Sequence, residues 1–177
     1  YSYAWAGDVK GMDKALYDAI PSDDIRKAQF STARKLAPIG KFYHPNKVIG
    51  GQRTIDADYI YMRVEEMYLL NAEACAKTGD EAGARKSLKA IMALRVPDAS
   101  YIDALTGKAL LDEIYLQTRI ELWGEGKSYL SLKRNKGTTN RGSNHLKFVG
   151  TPVPHNDTRL TFKIPIEEVQ NNPNLNK

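Results

Sequence analysis

Apolar residues recur at helical spacing in three stretches of this chain, and small residues cluster where two of those stretches would meet. Ile60, Val64, Met67, Leu70 and Ala74 follow one another at steps of four, three, three and four, a single stripe on a helix predicted over about 57–77. On another face, Arg63 precedes Glu66 by one turn and Glu73 precedes Lys77 by one turn, so each pair is expected to meet. Gly79 is placed to end this helix in the left-handed conformation. Asp80 then has the chemistry of an N-cap for a second helix over about 81–95. Its expected inner stripe is Ala84, Leu88, Ile91 and Leu94, and Pro97 marks its stop. So short a connection makes the two helices antiparallel neighbours. A third helix is predicted over about 108–123, with Leu111, Ile114, Thr118 and Leu122 inside. Gly124 and Gly126 interrupt it before a shorter helix over about 127–134.

The flanks are patterned differently. Residues 1–55 carry weak periodicity and many turn formers, among them Gly7, Gly11, Pro21, Gly40, Pro45, Gly50 and Gly51. Within them a short helix around 12–20 is expected. A second should start at a Ser22 or Asp23 cap and reach about Phe30, and an extended piece is expected at 41–43. From Asn135 to Asp157 the chain is rich in Gly, Asn, Thr and Pro and reads as a long loop. An extended piece at 160–165 and a last turn at 166–169 close it.

The two central helices resemble a tetratricopeptide repeat. Ala72, Gly79, Ala84 and Leu88 fall where close helix packing wants small or apolar residues, and Pro97 falls near the repeat's terminal proline. The usual Trp of the first helix is missing. The expected fold is therefore mainly α, tetratricopeptide-like helix pairs with long irregular loops. One region over 1–177 is expected, comprising a loop-rich segment (1–55), a helical core (56–134) and a loop with a C-terminal tail (135–177). Arrays of this kind need about three units to bury their faces, and only one clear and one looser pair are visible. The missing mates are expected upstream of Tyr1, which makes this chain the C-terminal portion of something longer.

Composition changes this picture little. Of 177 residues, 42% are hydrophobic and 27% charged, ordinary for a globular protein. No apolar run of about 18 residues exists to form a membrane span. Much of the net charge of +5 lies between Lys127 and Lys147, spaced by Gly, Asn and Thr. That is a solvated basic loop, since a nucleic-acid surface wants denser charge with interleaved aromatics. A single cysteine excludes an internal disulfide, and Cys75, inside Ala72-Glu73-Ala74-Cys75-Ala76, is expected to act as a small buried hydrophobe.

Candidate chemistry is sparse. Glu121 and Glu125 stand one turn apart, about 5–6 Å in helical geometry, near the separation used by retaining glycosidases. Those enzymes place their carboxylates on opposite sides of a sugar bond, whereas residues at i and i+4 share one side. With Arg63, Glu66, Glu73 and Arg119, the two are expected instead to form structural ion pairs and caps. His44, His145 and His155 make no metal-binding spacing, and no phosphate loop or nucleophile elbow occurs, so no cofactor or metal is expected. Aromatic rings are the better lead, because sugar C–H faces pack on them while neighbouring polar groups take the hydroxyls. Tyr1, Tyr3 and Trp5 alternate and share one side if extended. Tyr43, His44 and Asn46 combine a ring with polar groups. Trp123, beside Leu122 and Ile120, is expected in the core.

Several of these residues also carry a resemblance. Arg63, Glu66, Tyr68, Leu69 and Ala72-Glu73-Ala74 resemble the R-x-x-E-x-Y-L-x-x-A-E-A segment of the RagB/SusD family. Arg119 to Gly126 resembles its E-R-x-x-E-L-x-x-E-G segment, and Leu130, Leu132 and Arg134 its F-D-L-x-R. Lys163-Ile164-Pro165 through Asn172-Pro173 resembles its terminus, and Leu16-Tyr17, Ile20 and Asp24-Ile25-Arg26-Lys27 fit its opening. Thr118 and Ser131 depart from the pattern, each standing where the family has an acidic residue. The resemblance implies a glycan-capturing outer-membrane lipoprotein at the cell surface. Its lipid anchor would lie upstream of this chain, and it would serve a SusC-like TonB-dependent transporter without catalysis. A helical-repeat adaptor for a peptide or protein is the alternative, and a glycosidase using Glu121 and Glu125 a third.

Overall fold

The computed structural model describes residues 10–39, 41 and 60–175, and it is mainly α. In chain order the helices are α1 (Lys14–Asp18), α2 (Val64–Lys77), α3 (Glu81–Met92), α4 (Gly107–Glu121), α5 (Ser128–Arg134) and α6 (Ile166–Asn171). Two antiparallel pairs of two-residue strands join them. β1 (Phe30–Ser31) pairs with β2 (Ala37–Pro38), and β3 (Thr138–Thr139) with β4 (Val153–Pro154).

The turn between α2 and α3 forms as its residue types require. Gly79 takes φ +88°, and the Asp80 and Gly79 N–H groups donate back to the Cys75 and Ala76 carbonyls, closing the end of α2. Asp80 then accepts the Gly83 N–H at 2.9 Å and opens α3. The reversal lays α3 along α2, and α4 packs across both. Leu69, Ala72, Ala84, Leu88, Met92, Ile102, Leu110 and Ile114 fill the core between them. A second core joins Met12, Leu16, Ile20, Phe30 and Leu36 to Ile120 of α4, with Trp123 edge-on to Phe30 at 5.0 Å. The end of α4 thus belongs to both cores, and the charged site described below is built there.

Several elements differ from expectation. Helix α2 begins at Val64, after an extended Arg63, and its outward and inward faces are exchanged. Ile60 and Val64 are 66% and 64% exposed, and Met67 and Leu70 are exposed as well. The buried residues are Leu69, Ala72 and Glu73. This helix is apolar on two sides, and the side with small residues wins because only there do the axes of α2 and α3 approach closely. In α3 the inner stripe holds at Ala84, Leu88 and Ile91, but the helix ends at Met92 and leaves Leu94 exposed. In α4, Ile114, Thr118 and Leu122 are buried and Leu111 is half-buried.

Nearer the N-terminus the expected helix from Ser22 or Asp23 is a 3-10 turn, Ile25–Gln29. Its cap is Asp24, whose carboxylate accepts the Arg26 N–H. The expected long loop after α5 contains β3 and β4, and the 160–165 stretch starts in a 3-10 turn, Thr158–Leu160. Cys75 is half-buried and packs against the first core. Of the expected extended piece at 41–43, only Lys41 is among the described residues.

Candidate functional site

The densest chemistry in the fold gathers around Glu121, the last residue of α4. Its Oε1 accepts from Arg63 Nη1 at 2.9 Å and Arg95 Nη2 at 3.0 Å, and its Oε2 from Arg95 Nε at 3.0 Å and Arg26 Nη1 at 3.2 Å. Its backbone carbonyl accepts from Arg63 Nη2 and from the Lys41 ammonium. Glu125 accepts from Arg63 Nε and Nη2 and pairs with Lys41 at 2.8 Å. Asp24 holds Arg26 from the other side at 2.6 Å, Gln117 takes another Arg26 N–H, and Glu65 takes Arg95. Four cations and four carboxylates therefore interlock. Such balance is what lets buried charge persist, because each ion left unpaired here would cost several kcal/mol.

Burial pushes the Glu121 carboxyl up. Hydrogen bonds from Arg95 and Arg63 outweigh it and hold the group at about 2. The Lys41 ammonium is pushed below its ordinary value by burial, against the pull of Glu125. A carboxyl held this firmly ionised does not serve as a general acid near neutral pH. Glu121 and Glu125 also share one guanidinium, so they do not flank a space for a sugar bond.

A second hub lies at the other end of α2. Glu73 accepts from Arg134 Nε at 2.7 Å, Arg134 Nη2 at 2.9 Å and Lys77 Nζ at 2.6 Å, tying α5 to α2. Burial raises its carboxyl, but Arg134 and Lys77 bring it down to about 2.

Of the six residues expected in ion pairs and caps, Arg63, Glu66, Glu73, Glu121 and Glu125 form ion pairs. The Arg63 side chain forms no ion pair with Glu66 among the described residues, because the Arg63 backbone is extended rather than helical. It turns to Glu65, Glu121 and Glu125, and Glu66 takes Lys127 instead at 3.0 Å. Arg119 has no carboxylate partner among the described residues, and its guanidinium lies 5.8 Å from the Tyr115 ring centre. Among the described residues, the Glu121 and Glu125 carboxylates cap no helix end. Arg26, Asp24, Arg95 and Lys41 went unforeseen as partners. They lie 26 to 97 residues from Glu121 in sequence, and no local spacing points to such contacts.

The expected sugar-contacting residues Tyr1, Tyr3, Trp5, Tyr43, His44 and Asn46 lie outside the described residues. What the fold does place is a charged residue on each side of 42–59, Lys41 before it and Arg63 after it. Lys41 and Arg63 are both held by Glu121 and Glu125.

The sequence profile of the SusD family matches residues 11–177, nearly the whole chain. The chain belongs to the SusD family. Solved structures agree on the fold. A SusD-like carbohydrate binding protein from Bacteroides vulgatus superposes with a TM-score of 0.69 at 23% identity, over 93% of this chain and 41% of its own. A SusD superfamily protein from Bacteroides thetaiotaomicron gives 0.70 at 26% identity, over 90% and 38%. One from Bacteroides fragilis gives 0.60 at 27%, over 93% and 36%. This SusD-family chain thus spans about two fifths of the length of the structures it resembles. A search of curated proteins found no match.

Among the two departures from the family pattern, Thr118 satisfies its hydroxyl by donating to the Ile114 carbonyl one turn back, at 2.8 Å. The Ser131 hydroxyl is buried and has no hydrogen-bond partner among the described residues.

Proposed function

We propose that this chain is part of a non-catalytic protein that captures oligosaccharide at the cell surface and delivers it to a SusC-like TonB-dependent transporter. The observation that carries this reading is the match to the SusD family over residues 11–177. The arrangement of Glu121 and Glu125 supports the absence of hydrolysis, since Arg63 holds both carboxylates together and they do not flank a space for a sugar bond. Sugar contact is assigned to Tyr1, Tyr3, Trp5, Tyr43, His44 and Asn46, the aromatic and polar residues of the loop-rich N-terminal region. Among the described residues no helix is long and apolar enough to cross a membrane. The proposed tether is a lipid on a part of the protein outside this chain.

Calorimetry against a panel of oligosaccharides tests the reading. Binding without release of shorter products is expected, and Trp5→Ala should weaken it by about 1–3 kcal/mol, the scale of aromatic stacking contacts. Release of shorter products from any glycan would overturn the non-catalytic reading in favour of the glycosidase. The adaptor reading is favoured by one observation, the exposed apolar row Val64, Met67 and Tyr68 on α2. Peptide binding that Tyr68→Glu removes, with no affinity for sugar, would establish it.

A further inference from the structure

A groove of about 350 Å³ opens between the end of α2, the outer face of α4 and the turn after α5. Its floor is Leu111 and the Tyr115 ring, and its rim carries Lys77, Lys108, Arg134 and Lys136 against the single carboxylate of Asp112. Glu73 below it engages Lys77 and Arg134, and Asp112 engages Lys108. Lys136 has no carboxylate partner among the described residues, and the Arg119 guanidinium adds a further cation over the Tyr115 ring. Four cations thus line this groove against the carboxylates of Asp112 and Glu73, so positive charge is left over beside an apolar floor.

The turn that delivers Lys136 is built at a cost. After α5, Lys136 N–H donates to the Lys133 carbonyl at 3.2 Å and Gly137 N–H to the Leu132 carbonyl at 2.9 Å. This closure wants glycine at its left-handed position, yet that position, φ +49°, is Lys136. The glycine stands one residue later. There a side chain would meet the Tyr115 hydroxyl and Leu132 Cδ1 at 2.9 Å. Gly137 is therefore explained by its seat on Tyr115, whereas a lysine in the strained position is not explained by folding. Strain held at a pocket rim points to function.

We propose that this groove binds the acidic units of a saccharide, a uronate or sulfated sugar, with its anionic group on Lys136 and its C–H face on Leu111 and Tyr115. This inference rests on the saccharide-binding reading above and names a substrate class for a second contact surface, distinct from the expected aromatic loop residues.

The test is titration of the chain with an oligouronate and with a neutral oligosaccharide of equal length, at low and high salt. Inorganic sulfate and polyglutamate serve as further probes. The oligouronate should bind in a salt-sensitive manner, and Lys136→Gly should weaken it by on the order of tenfold, the scale of one charge-assisted hydrogen bond. The same substitution should raise Tm by about 2–4 °C by relieving the backbone. Lys108→Glu, at an exposed position, should weaken the oligouronate with at most a small change in Tm, the scale of an i, i+4 surface pair. Opposite effects on affinity and Tm separate a binding lysine from a structural one. Oligouronate binding that neither substitution changes overturns the groove assignment. So does sulfate or polyglutamate binding as tight as the oligouronate, the first marking a simple anion site and the second an acidic polypeptide site. Retained neutral-sugar binding with no oligouronate binding overturns this inference alone. Loss of both overturns the saccharide reading as well.

Discussion

Arg63 Nη1 lies 2.9 Å from Glu121 Oε1, joining the residue before α2 to the last residue of α4 across 58 positions of sequence. The same guanidinium reaches Glu125 and Glu65, so one side chain fixes where α2 starts relative to where α4 stops. Glu121 in turn holds Arg26 and Arg95, which brings the N-terminal 3-10 turn and the end of α3 to the same point.

Glu121→Gln should destabilise the chain by about 3–5 kcal/mol, because it leaves three arginines facing a neutral amide in a buried site. Chemical denaturation at neutral pH measures this.

Acid should act through the same residue. The Glu121 and Glu73 carboxyls lie at about 2, below the ordinary 4.5, so folding favours their ionised forms. The stability they contribute is complete above about pH 4.5 and is lost as pH falls toward 2. A plot of unfolding free energy against pH should fall through that window in the wild type. In Glu121→Gln it should fall less steeply. Parallel slopes would show that Glu121 titrates alike in both states.

The two faces of α2 should respond differently. Leu69→Ala removes a fully buried side chain and should cost about 2–5 kcal/mol. Val64→Ala, on the exposed face, should change stability by no more than about 0.5 kcal/mol. Equal losses would mean that something covers Val64 in solution.

Gly79→Ala should destabilise by about 1 kcal/mol or slightly more, since φ +88° brings a β-carbon against the backbone although the space around it is open. Thermal unfolding should show Tm lowered by a few degrees.

Ser131→Ala should be neutral or stabilising, by up to about 1 kcal/mol. The substitution removes a buried hydroxyl that finds no partner among the described residues. A loss of stability would reveal a hydrogen bond to the Ser131 hydroxyl.

Local chemistry made much of this fold readable in advance. Gly79 and Asp80 mark the turn between α2 and α3 because left-handed backbone and N-terminal capping each depend on one residue type. Ala84, Leu88 and Ile91 mark the inner side of α3 because its opposite face is charged. Lys77 meets Glu73 because both stand on one helix, one turn apart.

The sequence by itself determined the helical class, the order of the main elements and the family, since periodicity, caps and family motifs are all written in neighbouring residues. Tertiary structure decided which side of α2 faces inward, because Leu69 with Ala72 and Val64 with Met67 offer two apolar stripes and only the packing distance to α3 chooses between them. It also decided the long-range partners of the buried charges. Arg26, Lys41, Arg63 and Arg95 converge on Glu121 and Glu125 from distant stretches of chain, and a charge taken out of water is stable only where the whole fold supplies its opposite.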